Sequence, residues 1–258
     1  MIEGQEDVTW EQWVAIAETA ERCGYEALFR SDHYLSVMGD GRRGALDAWA
    51  TLAGLAAVTS TLRLGTLVSP ATFRHPAVLA KNAVTVDHIS GGRAELGIGA
   101  GWNAAEHTAY GFDLPPMGER FDRFAEQVEI ARGLLSDGEF AFDGRHYRVA
   151  GVDAHPKPVR GHIPIVLGGK AGPRAAALAA RFADEYNVLG VSPEECREVR
   201  ERLDQRLTLS LMTGLEGFGR KRMEAYAEAG VERVMLQHLD HADLDAIERT
   251  AAALRDGG

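Results

Sequence analysis

The chain has 258 residues, 45% hydrophobic and 26% charged, with 28 Lys and Arg against 38 Asp and Glu. That profile excludes a disordered chain, a collagen and a coiled coil. The net charge of −10 excludes nucleic acid as the main partner, because phosphate binding needs a basic face.

No apolar run reaches the roughly 18 residues that a membrane helix needs, so no membrane partner is expected. The start, Met1-Ile2-Glu3-Gly4-Gln5-Glu6-Asp7, is acidic and polar and does not read as a secretory signal. Cys23 and Cys196 are far apart and form no metal or redox motif, which suits a reducing, cytoplasmic setting.

In chain order, Thr9 caps a first helix with Gln12 as its capping-box partner. Trp13, Ala17 and Ala20 follow at helical spacing, and Gly24 ends the helix. Glu26–Arg30 reads as a strand closed by Ser31-Asp32-His33, and Asp47–Thr59 as an Ala-rich helix. Arg63–Ser69 is the next strand, stopped by Pro70. His75-Pro76 opens a helix whose first-turn proline lacks only an N–H that would have no partner anyway. Gly91-Gly92 turns the chain into a strand over 93–99. A loop over 101–118 holds a short helix near Ala104–Tyr110, and Met117–Leu135 is amphipathic. Phe140–Val149, with Asp143-Gly144 inside it, reads as a small hairpin inserted after the fourth helix of the series. Later strands are expected near 163–168, 185–189, 207–213 and 231–238, with helices over 173–182, from Ser192, over 217–229 and over 240–254.

A strand near 2–4 completes eight βα units, which suggests a (β/α)8 TIM barrel, α/β in class. A doubly wound open sheet uses the same alternation, but the strand count and a length near 250 residues favour the barrel. No linker or composition shift divides the chain, so one domain over 1–258 is expected.

A barrel of this kind carries its site at the C-terminal strand ends. Asp32 and His33, at the end of strand two, are the candidate catalytic pair, because they put a general acid or base within reach of a central ligand. A structural histidine is about as good a reading at this point. Strand three brings Val68 and Ser69 to the rim, and strand four brings Gly99, Gly101, Trp102 and Asn103. Gly97-Ile98-Gly99-Ala100-Gly101-Trp102 fails the dinucleotide fingerprint, since its third glycine position holds Trp102. Its glycines would let the backbone approach a planar ligand, or merely make a tight turn. Gly168-Gly169-Lys170 follows a strand and opens a helix, so it reads as an anion site or, as the alternative, a plain helix cap. No Walker motif, nucleophile elbow or zinc signature occurs. His238-Leu-Asp-His241 reads as a solvated loop, and no metal is expected.

Several stretches together resemble the luciferase-like monooxygenase superfamily, in particular its coenzyme F420-dependent branch. They are Ser31-Asp-His-Tyr34, Leu64–Pro76, Ser90–Asn103, Pro115–Asp122, Ile165–Gly169 and Ala183–Asn187. The resemblance implies a luciferase-like barrel holding coenzyme F420, or alternatively FMN, at its C-terminal mouth. The ring would lie against strand three, over a bulge with a non-proline cis peptide near Leu67-Val68 or Val68-Ser69. The phosphate would sit near the strand-four glycines and the Gly168-Gly169 turn, and His33 would lie beside the reactive ring. The cofactor-binding set expected on this basis is Leu67, Val68, Ser69, Gly99, Gly101, Asn103, Gly168, Gly169 and Lys170. The activity implied is hydride transfer between a small organic substrate and the deazaflavin, in a homodimer. An oxygen-using FMN monooxygenase, or a barrel that binds cofactor without catalysis, are the alternatives.

Three departures stand out. Trp102 occupies a position that is acidic in the sugar-phosphate dehydrogenases of the family. The chain begins inside strand one. The connections over 201–207 and 213–221 are short.

Overall fold

The computed structural model describes residues 1–38 and 41–255. Helix α1 (Trp10–Arg22) forms where the capping box predicts it: Thr9 accepts from the Gln12 N–H while the Gln12 side chain accepts from Thr9. Its buried face carries Trp13, Ile16 and Ala17, each at most 1% exposed. Burying an aromatic or aliphatic side chain this fully stabilises by about 1.5–3 kcal/mol.

Seven parallel strand positions run in the order β1 (Ala27–Arg30), β2 (Arg63–Thr66), β4 (Ala94–Gly99), β7 (Ile165–Gly168), β8 (Glu185–Leu189), β9 (Thr208–Gly214) and β10 (Arg233–Gln237). The short β3 (Ser69–Pro70) pairs with β4 above β2. The eighth position is held by one residue: Ile2 bridges in parallel to Arg30 on one side and to His238 on the other. The result is a nearly closed parallel barrel, as expected, with the predicted strand over 2–4 reduced to a single bridging residue.

The helices α2 (Ala48–Val58), α3 (Pro76–Ser90), α5 (Met117–Leu135), α6 (Pro173–Phe182), α7 (Pro193–Arg202), α8 (Arg220–Glu228) and α9 (Leu244–Arg255) follow the strands. The one-turn-plus helix α4 (Ala104–Tyr110) lies in the loop after β4. The inserted hairpin is present as β5 (Phe140–Asp143) and β6 (Arg148–Val152), a separate antiparallel pair after the fourth barrel helix, α5. The strand predicted over 63–69 is interrupted between β2 and β3, each of which pairs with β4, and the Leu67–Val68 peptide in the gap is cis.

Alternation along the strands divides the molecule. Leu28, Leu64, Leu96, Ile98, Ile165, Leu167, Leu209 and Leu211 join the large core between strands and helices. Their alternates belong to the barrel interior, where Phe29, Val166, Met212 and Met235 form a second apolar cluster. Below it, Arg233 binds the buried carboxylates of Glu95 (2.7 Å) and Glu185 (3.0 Å) and stacks over Phe29. The interior is therefore plugged at one end and available at the other. Gly97 shows how tight the wall is: a Cβ there would sit 1.9 Å from the Thr66 carbonyl oxygen.

Candidate functional site

At the C-terminal ends of the strands lies a cavity of ≈ 520 Å³. Its floor is glycine: Gly99 and Gly101 from the end of β4, Gly168 and Gly169 from the end of β7. Leu67, Val68 and Pro70 form one wall, so the cis peptide faces the cavity from the strand-three bulge. A Cβ on Gly99 would meet Val68 Cγ2 at 2.5 Å, and one on Gly101 would meet Thr72 Oγ1 at 2.6 Å. The floor can only be this low with glycine. Gly169 adopts φ +142°, which further restricts that turn to glycine.

His33 reaches this cavity from the end of β1. Its Nδ1 lies 2.7 Å from Oε2 of Glu106, a fully buried carboxylate on α4. The other oxygen, Oε1, accepts the backbone N–H groups of Leu35 (3.0 Å) and Tyr34. Burial pushes the Glu106 carboxyl up, but His33 and the two N–H groups outweigh it and hold it below its ordinary value. An ionised Glu106 can only accept, so Nδ1–H donates to it, and in that tautomer Nε2 is left as the acceptor that faces away from Glu106. The ring also meets Trp102 edge-on, with centroids 5.7 Å apart.

Asp32 goes elsewhere. Ser31 and His33 on either side of it line the cavity, and Asp32 does not. Asp32 is 1% exposed. It accepts from Ser69 Oγ (2.6 Å) and pairs with both terminal nitrogens of Arg74 (2.6 and 3.2 Å). Asp32 thus lies outside the cavity lining, bound to Ser69 and Arg74, and not beside His33 over the cavity as the expected catalytic pair would be. Ser69 is likewise turned away, held between Asp32 and the Trp49 indole N–H. Asn103 caps α4 by accepting from the Glu106 N–H, so it bears on the site only through Glu106. Lys170 is exposed and outside the cavity lining. Of the eleven residues expected at the site, His33, Leu67, Val68, Gly99, Gly101, Gly168 and Gly169 are brought together. Asp32, Ser69, Asn103 and Lys170 are not.

Two functional groupings escaped the sequence. Glu106 is one, because its partner is 73 positions away. The other is Glu6, whose buried carboxylate accepts from the N–H groups of Val37 (2.9 Å) and Met38 (3.1 Å) and from Ser36 Oγ. It thereby fixes the wall that Val37 and Met38 give the cavity. His238 and His241 are also not the solvated loop expected. Both rings are buried, 6.3 Å apart, beside the bridge that Ile2 makes.

The residues present fit a planar, phosphate-bearing cofactor. The glycine floor and the Leu67–Val68 bulge leave a flat slot. The first turn of α6, just beyond Gly168-Gly169, has no side-chain cap on its N–H groups. Among the described residues no helix is long and apolar enough to cross a membrane.

A family model described as luciferase-like monooxygenase matches residues 2–210. An uncharacterized protein of Mycobacterium tuberculosis is 31% identical over 232 residues, covering 85% of this chain and 80% of that one. The F420-dependent glucose-6-phosphate dehydrogenase of Microbacterium testaceum is 33% identical over 233 residues, 90% of this chain and 65% of the relative. The chain thus spans just under two thirds of that enzyme's length. Among solved structures, an F420-dependent secondary alcohol dehydrogenase in complex with an F420-acetone adduct superposes with a TM-score of 0.83. The identity is 17%, over 98% of this chain and 96% of the other. The coenzyme F420-dependent tetrahydromethanopterin reductase of Methanopyrus kandleri gives 0.81, also at 17% identity and with the same coverage. At these identities the structures show a shared fold.

Proposed function

The chain belongs to the luciferase-like monooxygenase family, and from that membership we propose that it is a coenzyme F420-dependent oxidoreductase. The observation that carries the reading is the His33–Glu106 pair, set over a glycine-floored slot beside the strand-three bulge. The relatives named as F420-dependent enzymes support the choice of cofactor.

When bound, the deazaflavin supplies the redox chemistry, taking up a hydride from a substrate carbon or returning it. The protein's part is positional and protic. Leu67, Val68 and the glycines of β4 would hold the ring, and the Gly168-Gly169 turn with the α6 terminus would hold the phosphate. In the oxidising direction the substrate hydroxyl gives its proton to His33 Nε2 as the carbon loses its hydride, and a carbonyl remains. Glu106 stabilises the imidazolium so formed, as a buried carboxylate does for a proton-accepting histidine. The pairing is intact despite the short connections later in the chain, which favours an enzyme over a barrel that only binds cofactor. A homodimer in the cytoplasm is part of this reading.

Fluorescence titration with F420 and, in parallel, FMN tests it. Saturable micromolar binding of F420 with weak FMN binding is expected. A preference for FMN points instead to an oxygen-using monooxygenase, and binding of neither removes the cofactor reading. His33→Ala is expected to lower turnover far more than F420 affinity; equal losses would reduce His33 to a binding residue.

A further inference from the structure

We propose that the cavity takes an uncharged, largely apolar organic substrate, seated against Trp102, and that Trp102 sets this preference. The inference rests on the oxidoreductase reading only in leaving the glycine-floored side to the cofactor.

The lining has one charged side chain among the described residues, Glu3. Both its oxygens are engaged: Oε1 accepts from Gln237 Nε2 at 2.6 Å and Oε2 from Gln5 Nε2 at 2.9 Å. No lysine or arginine lines the cavity. Two arginines near the mouth are paired with carboxylates, Arg43 with Glu6 and Arg74 with Asp32 and Asp47, and Arg120 donates to the Gly101 carbonyl. A phosphorylated or carboxylated substrate would lose its water beside a carboxylate and gain no cation from the lining.

What the cavity offers instead is apolar surface. Val37 and Met38 form one side and Met212 the interior end. Trp102 and Leu189, each 63% exposed, flank the mouth. Large apolar side chains this exposed at the rim of a cavity mark a surface that a ligand covers. Trp102 touches His33 edge-on, so a substrate body lying on the indole would bring its oxygen toward the imidazole. The polar recognition needed is then a single hydrogen bond to His33 Nε2, which suits a secondary alcohol or its ketone.

Equilibrium binding tests this, with cyclohexanone and glucose 6-phosphate as probes, read by saturation-transfer NMR titration of both the cofactor-free and the F420-bound protein. Cyclohexanone is expected to bind at least about tenfold more tightly than glucose 6-phosphate. Trp102→Ala and Trp102→Glu should each weaken the ketone by about tenfold, the lower end of what apolar pocket contacts supply. Trp102→Phe should stay within about threefold, because the aromatic face is retained. Trp102 is mostly exposed, so these variants keep the fold; an unchanged melting temperature checks that. Equal or tighter binding of the sugar phosphate, no saturable ketone binding, or indifference of the ketone to Trp102→Ala would each overturn the proposal. F420 binding with no ketone preference sinks this inference and spares the cofactor reading. Trp102-dependent ketone binding without F420 binding does the reverse.

Discussion

On the half of the barrel built from β1 to α4, nearly every polar side chain near the mouth is gripped by another, while the half from β7 to β10 is sparsely tied. Arg74 alone joins Asp32, Tyr34 and Asp47, at 2.6 to 2.8 Å. Ser69, Trp49, His33, Glu106 and Glu6 extend the network to the cavity. Across the cavity, Asn187 donates to Ser210, and Gln237 to Glu3; the side chains of Leu189 and Met212 have only van der Waals surface to give. The difference separates two tasks. A residue that moves a proton must be fixed to a fraction of an ångström, and buried, satisfied networks achieve that. A surface that admits ligands needs shape and room more than fixed polar groups.

The strongest way to break this contrast is Arg74→Met. It leaves the fully buried Asp32 carboxylate without its cation, a loss of about 3–5 kcal/mol for a buried pair. Urea unfolding should show it. A loss under about 1 kcal/mol would mean that the network is not what holds this half together. Glu106→Gln is milder for the fold and more severe for function. It keeps a side chain able to accept from Tyr34 and Leu35 but removes the charge facing His33. Turnover should fall by roughly tenfold to a hundredfold, with F420 affinity nearly unchanged. Equal loss of affinity would place Glu106 in the binding wall rather than behind the histidine.

The same contrast decides what a reader of the sequence could see. The cap at Thr9 and the helix start at Ser192 formed as their local patterns require. So did the glycines beneath the cavity, since a tight floor demands glycine whatever surrounds it. His33 was legible from its place at a strand end. Asp32's placement away from the cavity was not legible, because its partners Ser69 and Arg74 come from another βα unit. Glu106, Arg74 and Glu6 were illegible for one reason: each acts on a loop from a different βα unit, and no periodicity links them. Strand one was overestimated because the two bridges of one residue, Ile2, span the gap where a full strand was expected.

On the sparse half, Asn187→Ala removes the hydrogen bond to Ser210 and a weaker one to Met235 Sδ. A loss of about 1 kcal/mol is expected, well below that of Arg74→Met by the same urea measurement. Comparable losses from the two would erase the distinction between the halves.

Acid titration gives the smallest effect and the one with opposite signs. Glu106 and Asp47, in the dense half, both have carboxyls held below their ordinary values. Burial opposes this in each, but the donors around them win. Such groups contribute stability that is complete above the ordinary carboxyl range and is lost as pH falls through the lowered value. Glu185, on β8, is the reverse. Burial raises its carboxyl above the ordinary 4.5, and Arg233 recovers only part of that. The folded state therefore holds this proton more tightly than the unfolded one, and Glu185 costs stability as pH rises from 4.5 through its raised value. Glu185→Gln should remove that cost, so its unfolding midpoint relative to the parent should improve as pH climbs above 4.5. Glu106→Gln should lose ground over the same climb. Urea midpoints at several pH values between about 3 and 7 check both. Parallel pH profiles for the two variants would show that the halves are electrostatically alike, and that the density of the first network has no bearing on how the barrel holds its charges.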